Sequence, residues 1–250
     1  MMSIDLNCDI GEGMSNDRQL MKYVSSVNIA CGYHAGNKGI MQQTVEWALE
    51  NNCAIGAHPS YPDLENFGRI DILDKTVSRV ELPGMIADQL EMLEEICEEA
   101  GTSLHHVKPH GALYNRAAID EDVSAIICRV VHNFNASLFL YGLSGSVTMK
   151  IAKEQKIKFV NEVFADRTYM DDGSLTPRTV AGALIEDQNL SLQQVLQMIQ
   201  ENIVTSVRGK RIPLQSESIC IHGDSAHALE FAAFIHQALN ERGIEVRSIQ

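Results

Sequence analysis

No segment of this 250-residue chain approaches the roughly 18 consecutive apolar residues that a membrane span needs. The start, Met1-Met2-Ser3-Ile4-Asp5, also lacks the basic-then-apolar order of a secretory signal. Cysteine is sparse: six residues, none in a Cys-x-x-Cys pair, which disfavours a zinc ribbon or a disulfide scaffold and suits a reducing cytoplasm. Positive charge is scarce too. Lys and Arg number 20 against 33 Asp and Glu, a formal net charge of −13, which argues against nucleic acid or an anionic membrane as partner. An anionic substrate must therefore meet a locally positive pocket. The chain has no Walker-type phosphate loop and no His-Glu-x-x-His. It also lacks repeats and low-complexity runs, so one domain over residues 1–250 is the economical reading.

What the sequence does contain is a set of short apolar runs that end in His, Asp, Lys and Gly. They are Ile4-Asp5-Leu6-Asn7-Cys8-Asp9, Val27-Asn28-Ile29-Ala30-Cys31-Gly32-Tyr33-His34, Ala54-Ile55-Gly56-Ala57-His58-Pro59, His106-Val107-Lys108-Pro109-His110-Gly111, Phe159-Val160-Asn161-Glu162 and Ile219-Cys220-Ile221-His222-Gly223-Asp224. A strand alternates faces with period two. Parity puts Ile4, Leu6, Cys8, Val27, Ile29, Ile55, Ala57, Val107, Ile219 and Ile221 on one face. Asp5, Asn7, Asp9, Ala30, His34, Gly56, His58, Lys108, His110, His222 and Asp224 fall on the other. An oily outer face with a polar inner face describes a barrel whose chemistry gathers at the C-terminal strand ends.

Helical stripes alternate with these runs. A short helix capped by Ser15 or Asn16 runs through Leu20 and Val24. A second opens at Asn37, and a third carries Pro83 in its first turn and ends at Gly101. Asp120 caps a fourth, Val147–Gln155 forms a fifth, and Ser191-x-x-Gln194 resembles a capping box for a sixth. The last runs from about Ala226 to Arg242. The reading is α/β: strong strands near residues 4, 27, 54, 105, 137, 158 and 218, with Glu245–Ile249 as a candidate eighth. Parallel strands of an open sheet are oily on both faces, so these half-polar strands favour a closed or nearly closed barrel. The long connections 60–84 and 170–190 are expected to cover the mouth.

Four histidines, His34, His58, His110 and His222, each end a strand, whereas His132 reads as solvated and His236 as packing. Asp5 reads as a structural plug; Asp9 and Glu12 lie nearer the mouth and suit base or metal work. Asp166 and Arg167 could brace a loop as a salt bridge, and Asp224 could fix the His222 tautomer. A buried Lys108 requires an anion, either a carboxylate partner or a ligand; with Arg167 and Arg178 it offers positive charge. Asp9, His34 and His58 could supply a divalent-metal set with an open position. Cys31 is the cysteine expected near the mouth, and as a nucleophile it is poor. Gly142-Leu143-Ser144-Gly145-Ser146 falls one Gly short of a nucleophile elbow and could instead cradle an anion.

Together, Asp5-Leu6-Asn7-Cys8-Asp9-Ile10-Gly11-Glu12-Gly13, Asn28 through Gly36, Gly56-Ala57-His58-Pro59-Ser60-Tyr61-Pro62-Asp63, Val107 through Asn115, Glu162 through Tyr169 and His222-Gly223-Asp224 resemble the LamB/YcsF family. Asn37 departs from the Asp expected there. The resemblance implies an irregular seven-stranded parallel (β/α) barrel of the glycoside hydrolase/deacetylase type. It also implies ATP-dependent opening of the lactam 5-oxo-L-proline to L-glutamate, shared with partner subunits B and C. On that reading Asp9, Glu12, His58, Lys108, His110 and His222 carry the chemistry. Asn7, His34, Tyr61, Glu162, Asp166, Arg167 and Asp224 would hold substrate. The alternatives are a stand-alone metal-dependent amide hydrolase or deacetylase using Asp9, His34 and His58, and a non-catalytic carrier of the lactam.

Overall fold

The computed structural model describes residues 2–223 and 228–250. In chain order it contains β1 (Met2–Ile10), α1 (Asp17–Leu20), β2 (Ser26–Ala30), α2 (Lys38–Glu50), β3 (Ala54–His58), α3 (Leu82–Glu99), β4 (His106–Val107), α4 (Gly111–Ala117), α5 (Glu121–Phe134), β5 (Phe139–Leu143), α6 (Val147–Glu154), β6 (Lys158–Phe164), α7 (Gln188–Glu201), β7 (Ile203–Thr205), β8 (Arg211–Pro213), β9 (Ser218–Ile221), α8 (Ala228–Glu241) and β10 (Ile244–Val246). Strands β1 to β6 pair in sequence order, all parallel, and β9 joins both β6 and β1. That double pairing closes a seven-stranded barrel. The eighth element pairs with Met2–Ile4 at the start of β1, one residue earlier than expected.

Closure explains the half-polar strands. Leu6, Cys8, Val27, Ile29, Ala57, Val107, Leu140, Val163 and Ile219 turn outward and are fully buried in the apolar core. Inside, Asp5 accepts hydrogen bonds from Ser25, Ser26, Ser218 and Tyr141, a plug that satisfies a carboxyl cut off from water. Burial still raises its pKa despite those four donors. One layer up, His106 Nε2 meets Asn28 Oδ1 at 2.8 Å. Gly56, paired with His106 across the β3–β4 ladder, leaves the room: a Cβ there would overlap the imidazole ring.

The helix ends follow local chemistry with two exceptions. Asn37 accepts from Ile40 N–H, Asp120 from Asp122 and Val123, and Ser146 from Met149. Ser191, however, does not cap. The N-cap of α7 is Asp187, while the Ser191 hydroxyl is buried against Ala165 O, and Gln194 donates to Phe164 and Arg167 carbonyls. Both side chains tie the helix to the loop after β6. The first helix is a single turn, and Asn16 makes no side-chain cap; Asp17 instead accepts from Gly11 N–H at 2.9 Å. The short antiparallel β7–β8 hairpin adds a feature beyond the expected strands. The expected start of the last helix at Ala226 lies outside the described residues. No helix among them is long and apolar enough to cross a membrane.

Candidate functional site

Each strand end delivers a side chain to the mouth, and Asp9 stands at the centre. One Asp9 oxygen lies 2.8 Å from both Lys108 Nζ and Asn28 Nδ2; the other is 3.4 Å from His58 Nε2. Burial opposes the Asp9 charge, but His58 and Lys108 overcome it and hold the carboxyl well below the usual range. Lys108 is itself only 2% exposed. It touches Glu162 Oε1 at 2.9 Å, Asn7 Oδ1 at 3.2 Å and Cys220 Sγ at 3.1 Å. Burial works against the ammonium too, yet the two carboxylates keep it protonated. Lys108 is thus a positioning cation between Asp9 and Glu162, and not an open charge facing solvent.

Beside this pair, Glu12 and three imidazoles converge. Within the group of Glu12, His34, His58 and His110, one donor atom from each lies within 4.8 Å of all the others. His34 Nε2 is 3.2 Å and His110 Nδ1 3.5 Å from Glu12 Oε1. His34 and His110 stack with centroids 3.8 Å apart. Burial lowers the His34 pKa to about 3 and pushes His110 well down, so both rings are neutral near pH 7. Asp9, expected as a metal ligand with His34 and His58, stands to the side of this group, while Glu12 and His110 join it. The 60–84 connection does cover the site: Phe67 packs edge-on against His34 and His110, and its carbonyl meets His110 Nε2 at 2.9 Å.

On the other flank, His222 Nδ1 binds Asp166 at 2.9 Å and stacks on Phe164. Asp166 also accepts the His222 backbone N–H, so it orients that residue in place of the Asp166–Arg167 brace expected. The Arg167 guanidinium turns to Thr176 O, and its buried Nε has no partner among the described residues. Burial lowers the Arg167 pKa, and Arg178 nearby adds to the shift. Asp9, Cys220 and His222 form a second group of donor atoms within 4.8 Å, so Asp9 links both flanks. His58, Lys108, His110 and His222 therefore surround one hollow.

Three expectations need amendment. Tyr61 is not open to the mouth: its ring is fully buried in the core and its hydroxyl lies on the Asp71 side. Cys31 lies buried with its thiol on Ile29 O, and burial raises its pKa to about 12. The cysteine facing the lumen is Cys220, and burial pushes its pKa up as well. Asp224 lies outside the described residues. Asn28, His106 and Cys220 are further lumen residues, and the parity that places Asn7 and Lys108 also points them inward.

Comparisons with known proteins bear on the family and the fold. The model of the LamB/YcsF family matches residues 4–250. A protein of Haemophilus influenzae (strain PittEE), named as the A subunit of 5-oxoprolinase, is 46% identical over 246 residues, covering 98% of this chain and 99% of that protein. Among solved structures, the lactam utilization protein from Thermus thermophilus superposes with a TM-score of 0.92 at 35% identity, over 99% of this chain and 100% of that one. Peptidoglycan deacetylase PdaC from Bacillus subtilis, at a TM-score of 0.51 and 12% identity over 99% of this chain and 88% of that one, shares the fold alone.

Proposed function

This chain belongs to the LamB/YcsF family, and from that premise we propose that it opens the lactam ring of 5-oxo-L-proline to give L-glutamate, as one subunit of an ATP-dependent hydrolase completed by partner subunits B and C. The observation that carries the reading is Asp9: a carboxylate kept ionised at a nearly dry mouth, braced by Lys108 and Asn28, with an imidazole at its second oxygen.

A five-membered lactam is a stable amide, so its carbonyl carbon must be made more electrophilic. Transfer of the ATP γ-phosphoryl group to the lactam oxygen would do this. Water then adds to that carbon and gives its proton to Asp9 or Glu12. The carbon–nitrogen bond breaks, and the ring nitrogen takes a proton relayed through His58, His110 or His222. This leaves an acyl phosphate, which a second water hydrolyses to phosphate and the second carboxylate of glutamate, so the overall reaction consumes two waters. Arg167, with its unsatisfied Nε and Arg178 nearby, supplies the positive charge that a carboxylate or phosphoryl group needs.

The test is reconstitution of the purified chain with its two partner subunits. Glutamate and phosphate released together, only when ATP and all three subunits are present, support the reading. Glutamate formed by this chain alone without ATP would replace it with a stand-alone hydrolase. Lactam binding without turnover under any combination would replace it with a carrier.

A further inference from the structure

The tautomers of two histidines can be read directly from backbone contacts. His58 Nδ1 lies 2.6 Å from Lys108 O, and His110 Nε2 lies 2.9 Å from Phe67 O. A carbonyl only accepts, so each of those nitrogens carries the ring's N–H. With both rings neutral, the inward nitrogens His58 Nε2 and His110 Nδ1 are bare lone pairs, and they stand 2.9 Å apart. Asp9 Oδ2 is 3.4 Å from the first and Glu12 Oε1 3.5 Å from the second, so two carboxylate oxygens face the same pair. Four acceptors crowded together repel one another unless positive charge sits among them, either a proton on the His58–His110 pair or a metal ion in its place. His34 adds a third ring: it is 1% exposed, its Nε2 lies 3.2 Å from Glu12, and its buried Nδ1 has no partner among the described residues.

We propose that Glu12, His34, His58 and His110 form a binding site for a divalent transition metal of the zinc–cobalt–nickel class. Metal–nitrogen bonds of about 2.1 Å put neighbouring ligand atoms about 3.0 Å apart at right angles and about 3.4 Å apart in a tetrahedron. The spacings of 2.9, 3.2 and 3.5 Å lie within about 0.1 Å of that range. Three imidazoles with one carboxylate suit borderline cations better than magnesium or calcium, which favour oxygen. The two backbone carbonyls that fix the His58 and His110 tautomers are the outer contacts that metal-binding imidazoles usually make. With Glu12, His58 and His110 engaged by the metal, the base role falls to Asp9 on the flank and the proton relay to His222. The site lies in the mouth assigned to ring opening, but its test uses neither substrate nor partners, so each reading can fail alone.

The full chain, stripped with chelator, is titrated with Co2+ and followed by visible absorption and elemental analysis, then with Zn2+ in competition. The expected result is one equivalent per chain, d–d bands without a sulfur charge-transfer band, and displacement by Zn2+. Glu12→Gln and His110→Ala should each weaken binding at least about 100-fold, while Cys220→Ala, in the neighbouring donor group, leaves it unchanged. Near-ultraviolet circular dichroism reports whether each variant keeps its packing. Wild-type protein with Kd weaker than about 1 mM overturns the proposal, since the repulsion is then relieved by a proton. A cobalt signal that vanishes in Cys220→Ala also overturns it. Because wild-type titration alone can decide against the site, misfolding of a variant does not shelter it.

Discussion

Lys108 Nζ lies 2.8 Å from Asp9 Oδ1, a pair of opposite charges drawn from the first and fourth strand ends and almost sealed from water. Each charge is tolerable only because of the other. Glu162, 2.9 Å from the same ammonium, makes this a triad of two carboxylates around one cation, and Asn7 supports it by donating to Glu162.

Removing the cation from this triad strands two buried carboxylates. Lys108→Met is expected to destabilise the fold by about 3–5 kcal/mol, read by urea denaturation. Adding Glu162→Gln should restore part of that loss, since the carboxylate that faces the missing ammonium is replaced by a neutral amide. A double variant no more stable than Lys108→Met would show that Glu162 does not share the ammonium.

Asp9→Asn keeps the shape of the side chain and its acceptor toward Lys108 but loses the base. Turnover of the reconstituted complex should drop by about 10²–10⁴ with binding of the lactam retained. Near-normal turnover would remove Asp9 from the chemistry.

Gly68 adopts φ +63° where the 60–84 connection crosses the site, and a Cβ there would overlap the Ser60 hydroxyl and reach His110 and His34 at 3.0 Å. Gly68→Ala should push the Phe67 carbonyl off His110 and cut turnover by up to about 100-fold, and the left-handed φ and Ser60 overlap should lower the urea midpoint as well. Unchanged turnover would mean that the cover does not set the geometry of the imidazoles.

Acid should destabilise the chelator-treated protein in a defined order. The His34 pKa falls to about 3 on folding and that of His110 falls well below the ordinary imidazole value, so below about 6.5 the unfolded chain binds protons that the folded one refuses. Stability is thus complete above that pH and declines as pH falls toward 3. Asp9, also held low, adds to the loss below about 4. Asp17 acts in the opposite sense: burial raises it to about 6, so the folded state gains its proton first as pH drops. Melting temperature measured against pH should fall more gently in His34→Gln and more steeply below pH 6 in Asp17→Asn. Parallel profiles for all three proteins would refute these assignments.

Much of the mouth is legible in strand parity. Asp5, Asn7 and Asp9 alternate with Ile4, Leu6 and Cys8, and a closed barrel has only one place for that polar face. The seven strands are legible for the same reason. What sequence spacing cannot supply is partnership. Whether Lys108 meets a ligand or a carboxylate depends on Asp9 and Glu162, which are distant in the chain. Gly56 reads as an empty position until His106 is found filling it. Ser191 and Gln194 have the spacing of a cap, but the carbonyls of residues 164–167 compete for them and win. Tyr61 follows His58 by three residues, yet its hydroxyl lies toward Asp71, a neighbour that spacing in the sequence does not reveal.

The pairing of β10 with the first residues of β1, Ile4 beside Val246, has a practical corollary. These segments meet at the foot of the barrel, where strands begin, whereas the reactive groups stand where strands end. Fusing a fluorescent or affinity module at either extremity should leave the opening unobstructed, and a short peptide joining the two would permit new termini to be cut elsewhere on the scaffold.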